Sequence, residues 1–201
     1  MLDVLVVGAG ITGIYQLHSA RQAGFRSELV EAGDGVGGTW YWNRYPGVMC
    51  DVESTIYLPM LEEMGYVPRD RYAAGEEIRT HLEAIAERYD LVADALFHTD
   101  VTRAAWDDAT ARWIVHTDRG DEIRARFHVL AVGILNLMKL PAIPGMERFA
   151  GHPFHSARWD YAYTGGGPDE PMDRLADKVV GLVGTGASGI QCLPPLAAAA
   201  R

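Results

Sequence analysis

Gly8, Gly10 and Gly13 stand at the spacing G-x-G-x-x-G, with Thr12 inside the turn. Where a strand turns into a helix, each of these glycines has a job. The first allows the tight turn, the second lets a pyrophosphate approach the backbone, and the third lets helix and strand pack closely. Glu31 follows Gly13 by 18 residues, about where an acidic side chain accepts hydrogen bonds from a ribose diol. A mere glycine-rich turn would leave that acid unexplained, so the set reads as a dinucleotide site. The spacing returns 176 residues later at Gly184, Gly186 and Gly189, with Thr185, Ala187 and Ser188 between them. Two such units suggest two dinucleotides, as hydride transfer between a flavin and a nicotinamide requires. The second copy offers no acidic or basic residue to read further.

The elements that must hold these residues follow from periodicity. Leu2 to Val7 is a valine-rich run, apolar except for Asp3, that suits a buried parallel strand. A helix follows from about Ile11 to Ala23, stopped by Gly24. Ser27 to Val30 reads as a second strand, completing a βαβ unit. Residues 33–56 are Gly-rich, aromatic and aperiodic, a loop long enough to be functional. Over 75–89, Ile78, Leu82, Ile85 and Tyr89 share one helical face. Residues 97–133 read as a three-strand meander with turns near Asp107–Asp108 and at 118–121. LPAIPG at 140–145 is a proline-punctuated linker, and 164–171 a second Gly/Pro-rich loop. Lys178 to Val183 repeats the opening strand, and a helical tail runs to Arg201. The expected fold class is α/β: a Rossmann-type domain with a three-stranded meander, then the start of a second Rossmann-type domain. After Lys178 too few residues follow to complete a domain, so the chain is expected to be a fragment of a longer protein.

Composition bounds the partners. The 201 residues are 48% hydrophobic and 22% charged, which is globular. A net charge of −9 argues against a non-specific nucleic-acid binder, yet permits nucleotide cofactors, because a helix start holds phosphate with backbone N–H groups. Cys50 and Cys192 form no disulfide framework, and no apolar run is long enough to span a bilayer. A cytoplasmic protein without a membrane partner is expected. His18, His81, His98, His116, His128 and His152 show no metal-ligand spacing, so no metal is expected.

Two further motifs are specific. At GGTWYWNRYPGVMCDVES (37–54) the sequence resembles the class B flavoprotein monooxygenases, most closely the Baeyer–Villiger monooxygenases. FAGHPFHSARWD (149–160) is similar to that family's fingerprint F-x-G-x-x-x-H-x-x-x-W-[P/D] at Phe149, Gly151, His155, Trp159 and Asp160. The resemblance implies two dinucleotide-binding domains: 1–143 for FAD, a linker at 144–177 carrying the fingerprint, and 178–201 beginning the NADPH domain. Gly8, Gly10, Thr12 and Gly13 would cradle the FAD pyrophosphate and Glu31 its ribose. Gly38, Thr39, Trp40, Tyr41 and Trp42 would line the flavin, beside Asp51 and Tyr57, and Val101 would meet the adenine through its backbone. Gly184, Thr185, Gly186, Ala187, Ser188, Gly189 and Gln191 would receive the NADPH phosphates. Asp51 is the expected catalytic residue, orienting an arginine that would lie beyond Arg201 and steady negative charge on the flavin.

The implied reaction inserts one oxygen atom of dioxygen next to a ketone carbonyl, through a flavin peroxide, to give an ester or lactone. Other readings stand beside these. Asp51 could cap a helix starting near Val52. Trp40, Tyr41, Trp42 and Tyr45 could be loop-anchoring core. His155 is either a hydrogen-bonded structural histidine or part of the hydride-transfer geometry. The rival activities are amine or sulfide oxygenation, whose linkers usually end in Tyr or Phe where Trp159 stands, and a catalytically incomplete FAD-binding module. A disulfide reductase is set aside, because Trp40 stands where a redox cysteine would follow GGT. One departure is Ile134, where many relatives carry a polar residue.

Overall fold

A computed structural model describes residues 1–201. Its centre is one mixed six-stranded sheet. The strands are β1 (Leu2–Val7), β2 (Ser27–Val30), β3 (Ala95–Leu96), β4 (Val101–Asp107), β5 (Arg112–Thr117) and β6 (Glu122–Leu130), in the order β3-β2-β1-β6-β5-β4. β1 pairs in parallel with β2 and with β6, while β4, β5 and β6 form the antiparallel meander. β1 is central, which is why Val4 to Val7 are apolar on both faces: Leu5 and Val6 are fully buried.

The helices are α1 (Ile11–Gln22), α2 (Thr39–Trp42), α3 (Ser54–Tyr57), α4 (Leu61–Met64), α5 (Gly75–Arg88), α6 (Tyr161–Thr164) and α7 (Ala187–Ala199). α1 buries Gly13, Ile14 and Leu17. α5 buries Ile78, Leu82 and Ile85 on the face the spacing marks out. Tyr89, just past α5, sets its ring 4.2 Å from that of His18. A core of Leu2, Leu5, Val30, Val115 and Ala125 joins the parallel strands to the meander.

The chain divides into two compact units that interleave in sequence. The first is Met1–Tyr41, Leu58–Tyr66 and Ile78–Ile134; the second is Trp42–Tyr57, Val67–Glu77 and Leu135–Arg201.

Two expectations need correction, and one strand went unread. The third parallel strand, Ala95–Leu96, is only two residues long and carries no period to detect. The supposed 33–56 loop contains two short helical turns, α2 and α3. Lys178 to Val183 is not a strand: it joins no β ladder, and Val179 and Val183 lie open. A strand exists only through the ladder it shares with a neighbour, so β-forming residues without a partner stay extended but unpaired. No helix is long and apolar enough to cross a membrane.

Candidate nucleotide-binding site

The first glycine motif sits where β1 runs into α1, in the first unit. Gly8 has φ +104°, and a side-chain carbon there would stand 2.5 Å from the Ala131 carbonyl oxygen. Only glycine combines that backbone with that approach. A side-chain carbon on Gly13 would overlap the Gly8 carbonyl oxygen, so the third glycine lets α1 close onto the turn. Gly38, at φ +55°, crosses over Gly10, and its side-chain carbon would lie 2.6 Å from the Gly10 Cα. Gly10 is the N-cap of α1 and supplies no capping side chain. The first N–H groups of a helix have no intrahelical acceptor. A helix start bounded by Gly8, Gly10 and Gly38, with Thr12 exposed in its first turn, suits an anionic phosphate.

Glu31, at the end of β2, is 7% exposed. Its carboxylate accepts from the Ala9 N–H at 2.7 Å and the Gly33 N–H at 2.8 Å, one bond to each oxygen. Its backbone joins the 96–99 run: Glu31 N–H donates to Leu96 O, and Thr99 N–H donates to Glu31 O. These bonds fix the acid beside the glycine turn. Each carboxylate oxygen has a second lone-pair direction for a diol. The residues therefore fit the nucleotide their spacing suggests.

The neighbouring loop is ordered by its own side chains. Trp40 is buried. The Tyr41 hydroxyl donates to Asp34 Oδ1 at 2.7 Å, and its ring packs on Gly33 so closely that a side-chain carbon there would approach it to 2.7 Å. Val101 begins β4 at a register irregularity opposite Thr117.

The second unit holds the remaining expected residues. Asp51 is exposed on a stretch zipped to 70–75. Cys50 N–H donates to Ala73 O at 2.9 Å, Gly75 N–H to Val48 O at 2.9 Å, and Ser54 N–H to Arg71 O at 2.8 Å. α3 starts at Ser54 and carries Tyr57, so its beginning lies beyond the Val52 expected for a helix capped by Asp51. Trp42 lies under Arg158, whose guanidinium carbon is 4.4 Å from the ring centroid. The same guanidinium donates to Trp42 O at 3.4 Å and to Asn136 O at 3.2 Å. Tyr161 Oη donates to Arg44 O at 2.6 Å. Burial raises the Tyr161 hydroxyl pKa well above its ordinary range, and the Asp169 charge adds to the shift.

The fingerprint itself is an aromatic knot. The Phe149 ring folds over Gly151, where a side-chain carbon would meet it at 2.5 Å. Phe154 and Trp159 meet edge to face at 5.1 Å. His155 Nδ1 accepts from Ala157 N–H at 3.1 Å, capping a turn of 3-10 helix, which favours the structural reading of this histidine. Asp160 accepts from Tyr163 N–H at 3.0 Å and meets His152 Nε2 at 2.7 Å. The hydrogen bond with His152 holds its carboxyl below the ordinary range, and the Tyr163 N–H adds to that.

The second glycine turn, Gly184 to Gly189, leads into α7 and is mostly exposed, including Thr185, Gly186 and Ala187. A side-chain carbon on Gly189 would stand 2.9 Å from the Gly184 carbonyl oxygen, the same third-glycine contact as in the first motif. Gln191 points its amide at the 45–49 loop. Tyr45, buried and 146 residues away in sequence, donates to Gln191 Oε1 at 2.7 Å. The sequence marks Tyr45 only as one of the loop aromatics and does not mark Arg158; no local pattern signals contacts of such long range.

Residues 6–67 match the NAD(P)-binding Rossmann-like domain. The chain is 58% identical over 197 residues to a Baeyer-Villiger monooxygenase of Streptomyces coelicolor, covering 98% of this chain and 33% of that protein. The chain is homologous to the Baeyer–Villiger monooxygenases. It is also 54% identical to a pentalenolactone D synthase of Streptomyces exfoliatus, over 98% of this chain and 34% of the relative. Among solved structures, the polycyclic ketone monooxygenase of Thermothelomyces thermophila superposes with a TM-score of 0.90 at 42% identity, over 99% of this chain and 34% of the other. A complex of OTEMO with FAD and NADP gives 0.89 at 36% identity, over 100% of this chain and 38% of the other. The chain spans about a third of the length of the curated relatives it matches.

Proposed function

We propose that this chain carries the FAD site and the first turn of the NADPH site of a Baeyer–Villiger monooxygenase, which inserts one oxygen atom of dioxygen next to a ketone carbonyl. The observation that carries the reading is the glycine-bounded start of α1 beside a buried Glu31 whose two oxygens are each held by a backbone N–H. The order of motifs and the similarity to monooxygenases narrow the chemistry.

The residues divide the work. Gly8, Gly10, Thr12 and Gly13 present α1's N–H groups to the FAD pyrophosphate. Glu31 accepts from the ribose diol, and Val101 meets the adenine with its backbone. Gly38, Thr39, Trp40, Tyr41 and Trp42 cover the flavin and exclude water, and Tyr57 serves beside the isoalloxazine. Asp51 offers a carboxylate to orient a cation. Gly184 to Gly189 hold the nicotinamide nucleotide's phosphates. When bound, NADPH supplies the hydride and FAD activates dioxygen. In this reading, 1–143 serve FAD, 144–177 form the linker, and 178–201 open the NADPH site. Two free cysteines and the acidic balance support a cytoplasmic protein with no nucleic-acid partner.

The test is direct. Purified protein mixed with FAD and passed through a desalting column is expected to elute yellow, and Glu31→Ala to elute pale. A folded, colourless wild type would refute the assignment. The second reading is a module that binds FAD without turnover. Retention of FAD without ketone-stimulated NADPH oxidation would select it.

A further inference from the structure

Helix α7 does more than follow a glycine turn: it is fastened to the loop that carries Asp51. The Gln191 amide faces residue 49 like a backbone peptide. Its Nε2 donates to Met49 O at 3.0 Å, and its Oε1 accepts from Met49 N–H at 3.4 Å. The same oxygen takes the Tyr45 hydroxyl at 2.7 Å, and Tyr45 is 95% buried (5% exposed). Between these contacts Gly47, at φ +76°, lies so close to α7 that a side-chain carbon would stand 2.6 Å from Gln191 O. Burial pushes the Tyr45 hydroxyl pKa up, while a hydrogen bond with Ser188, inside the second glycine motif, pulls it down. Asp51 stands two residues beyond Met49 and Cys50 between them, all within the same unit.

We propose that Gln191 and Tyr45 form a latch tying the first turns of α7 to the 45–51 loop, so that a nicotinamide nucleotide at Gly184–Gly189 fixes where Asp51 stands. Gln191 is then a positioning residue for that loop and not a phosphate ligand. A nucleotide that orders the start of α7 orders Ser188 and Gln191, and through them Tyr45 and Met49. By linkage, whatever holds the loop also strengthens nucleotide binding. This nucleotide-dependent part rests on the function proposed above; the latch itself does not.

The chain supplies its own reporters. Cys50 lies on the loop and Cys192 on the helix, both buried. Pulse labelling of the full chain with N-ethylmaleimide, read by peptide mass spectrometry, measures how often each thiol is exposed. Removing one hydrogen bond raises the opening constant about three- to tenfold. Tyr45→Phe is expected to speed Cys50 labelling by that factor, Gln191→Ala, which removes three bonds, by more, and the double variant to fall short of the product of the two. Circular dichroism and thermal melts confirm folding. Tyr45→Phe, which keeps the buried ring, serves as the test if Gln191→Ala does not fold. Wild-type rates in these variants, or accelerations that multiply in the double variant, overturn the latch.

Saturating NADP+ is expected to slow Cys50 labelling about threefold in the wild type and not in Gln191→Ala. Equal protection in both overturns the coupling. Failure of NADP+ to bind the wild type, measured by calorimetry, refutes the nucleotide assignment for Gly184–Gly189 and with it the coupling. The ligand-free rates still decide the latch.

Discussion

His128, on β6, is a residue whose environment can be read through pH. Its Nε2 is buried with no hydrogen-bond partner, its ring lies 5.3 Å from Trp113, and burial holds its pKa below the ordinary 6.5. The folded protein therefore keeps this imidazole neutral at pH values where the unfolded chain takes up a proton. Its stabilising effect is full above 6.5 and is lost progressively as pH falls from there toward the lower folded value. Melting temperatures taken from about pH 7.5 to 5 should fall more steeply in the wild type than in His128→Phe. Equal slopes would show that the ring titrates normally in the fold. Nothing in the sequence marks His128 among the seven histidines, because the cause is its burial on the sheet. Glu31 is the opposite case. Its distance from Gly13 already marks it, and the structure adds what spacing cannot, that Ala9 and Gly33 N–H groups hold both its oxygens.

At the scale of elements, β1, β2 and the start of α1 were readable to the residue, since glycines and the apolar run from Val4 to Val7 mark them. The meander was readable because alternation and turn residues coincide. β3 was not, since two residues have no period, and the helical turns in the 33–56 stretch were hidden by its glycines. The 178–183 stretch was misread because β propensity describes a residue's fit to a sheet, and here no sheet receives it. The junction of β1 and α1 makes the sharpest demand. Gly13→Ala would push a methyl into the Gly8 carbonyl. Overpacking of this kind costs about 1–3 kcal/mol, and about 2–4 °C of melting temperature accompanies each kcal/mol in a chain of this size. The variant should melt several degrees lower and retain less FAD. An unchanged melting temperature would mean that the helix start can shift at little cost.

For the molecule as a whole, stability should be uneven. Amides of β1 sit in a ladder on both sides, and hydrogen exchange there requires opening the sheet. Amides of 179–185 have no ladder at all. Exchange followed by mass spectrometry should show residues 2–7 protected for far longer than 179–185. Protection of the latter would mean that the segment finds a partner in solution. Two contacts within the second unit, Tyr45 with Gln191 and Arg158 with Trp42, join residues over a hundred positions apart, which places them beyond any reading by period or spacing.

The bare valine ribbon after Lys178 has a practical consequence. Val179 is 85% exposed and Val183 77%, in a stretch with no proline and a single charge at its start. Such a ribbon is a template for intermolecular zippering. Residues 1–201 prepared by themselves should clump through this strip first when concentrated, and replacing Val179 or Val183 with lysine should keep them clear.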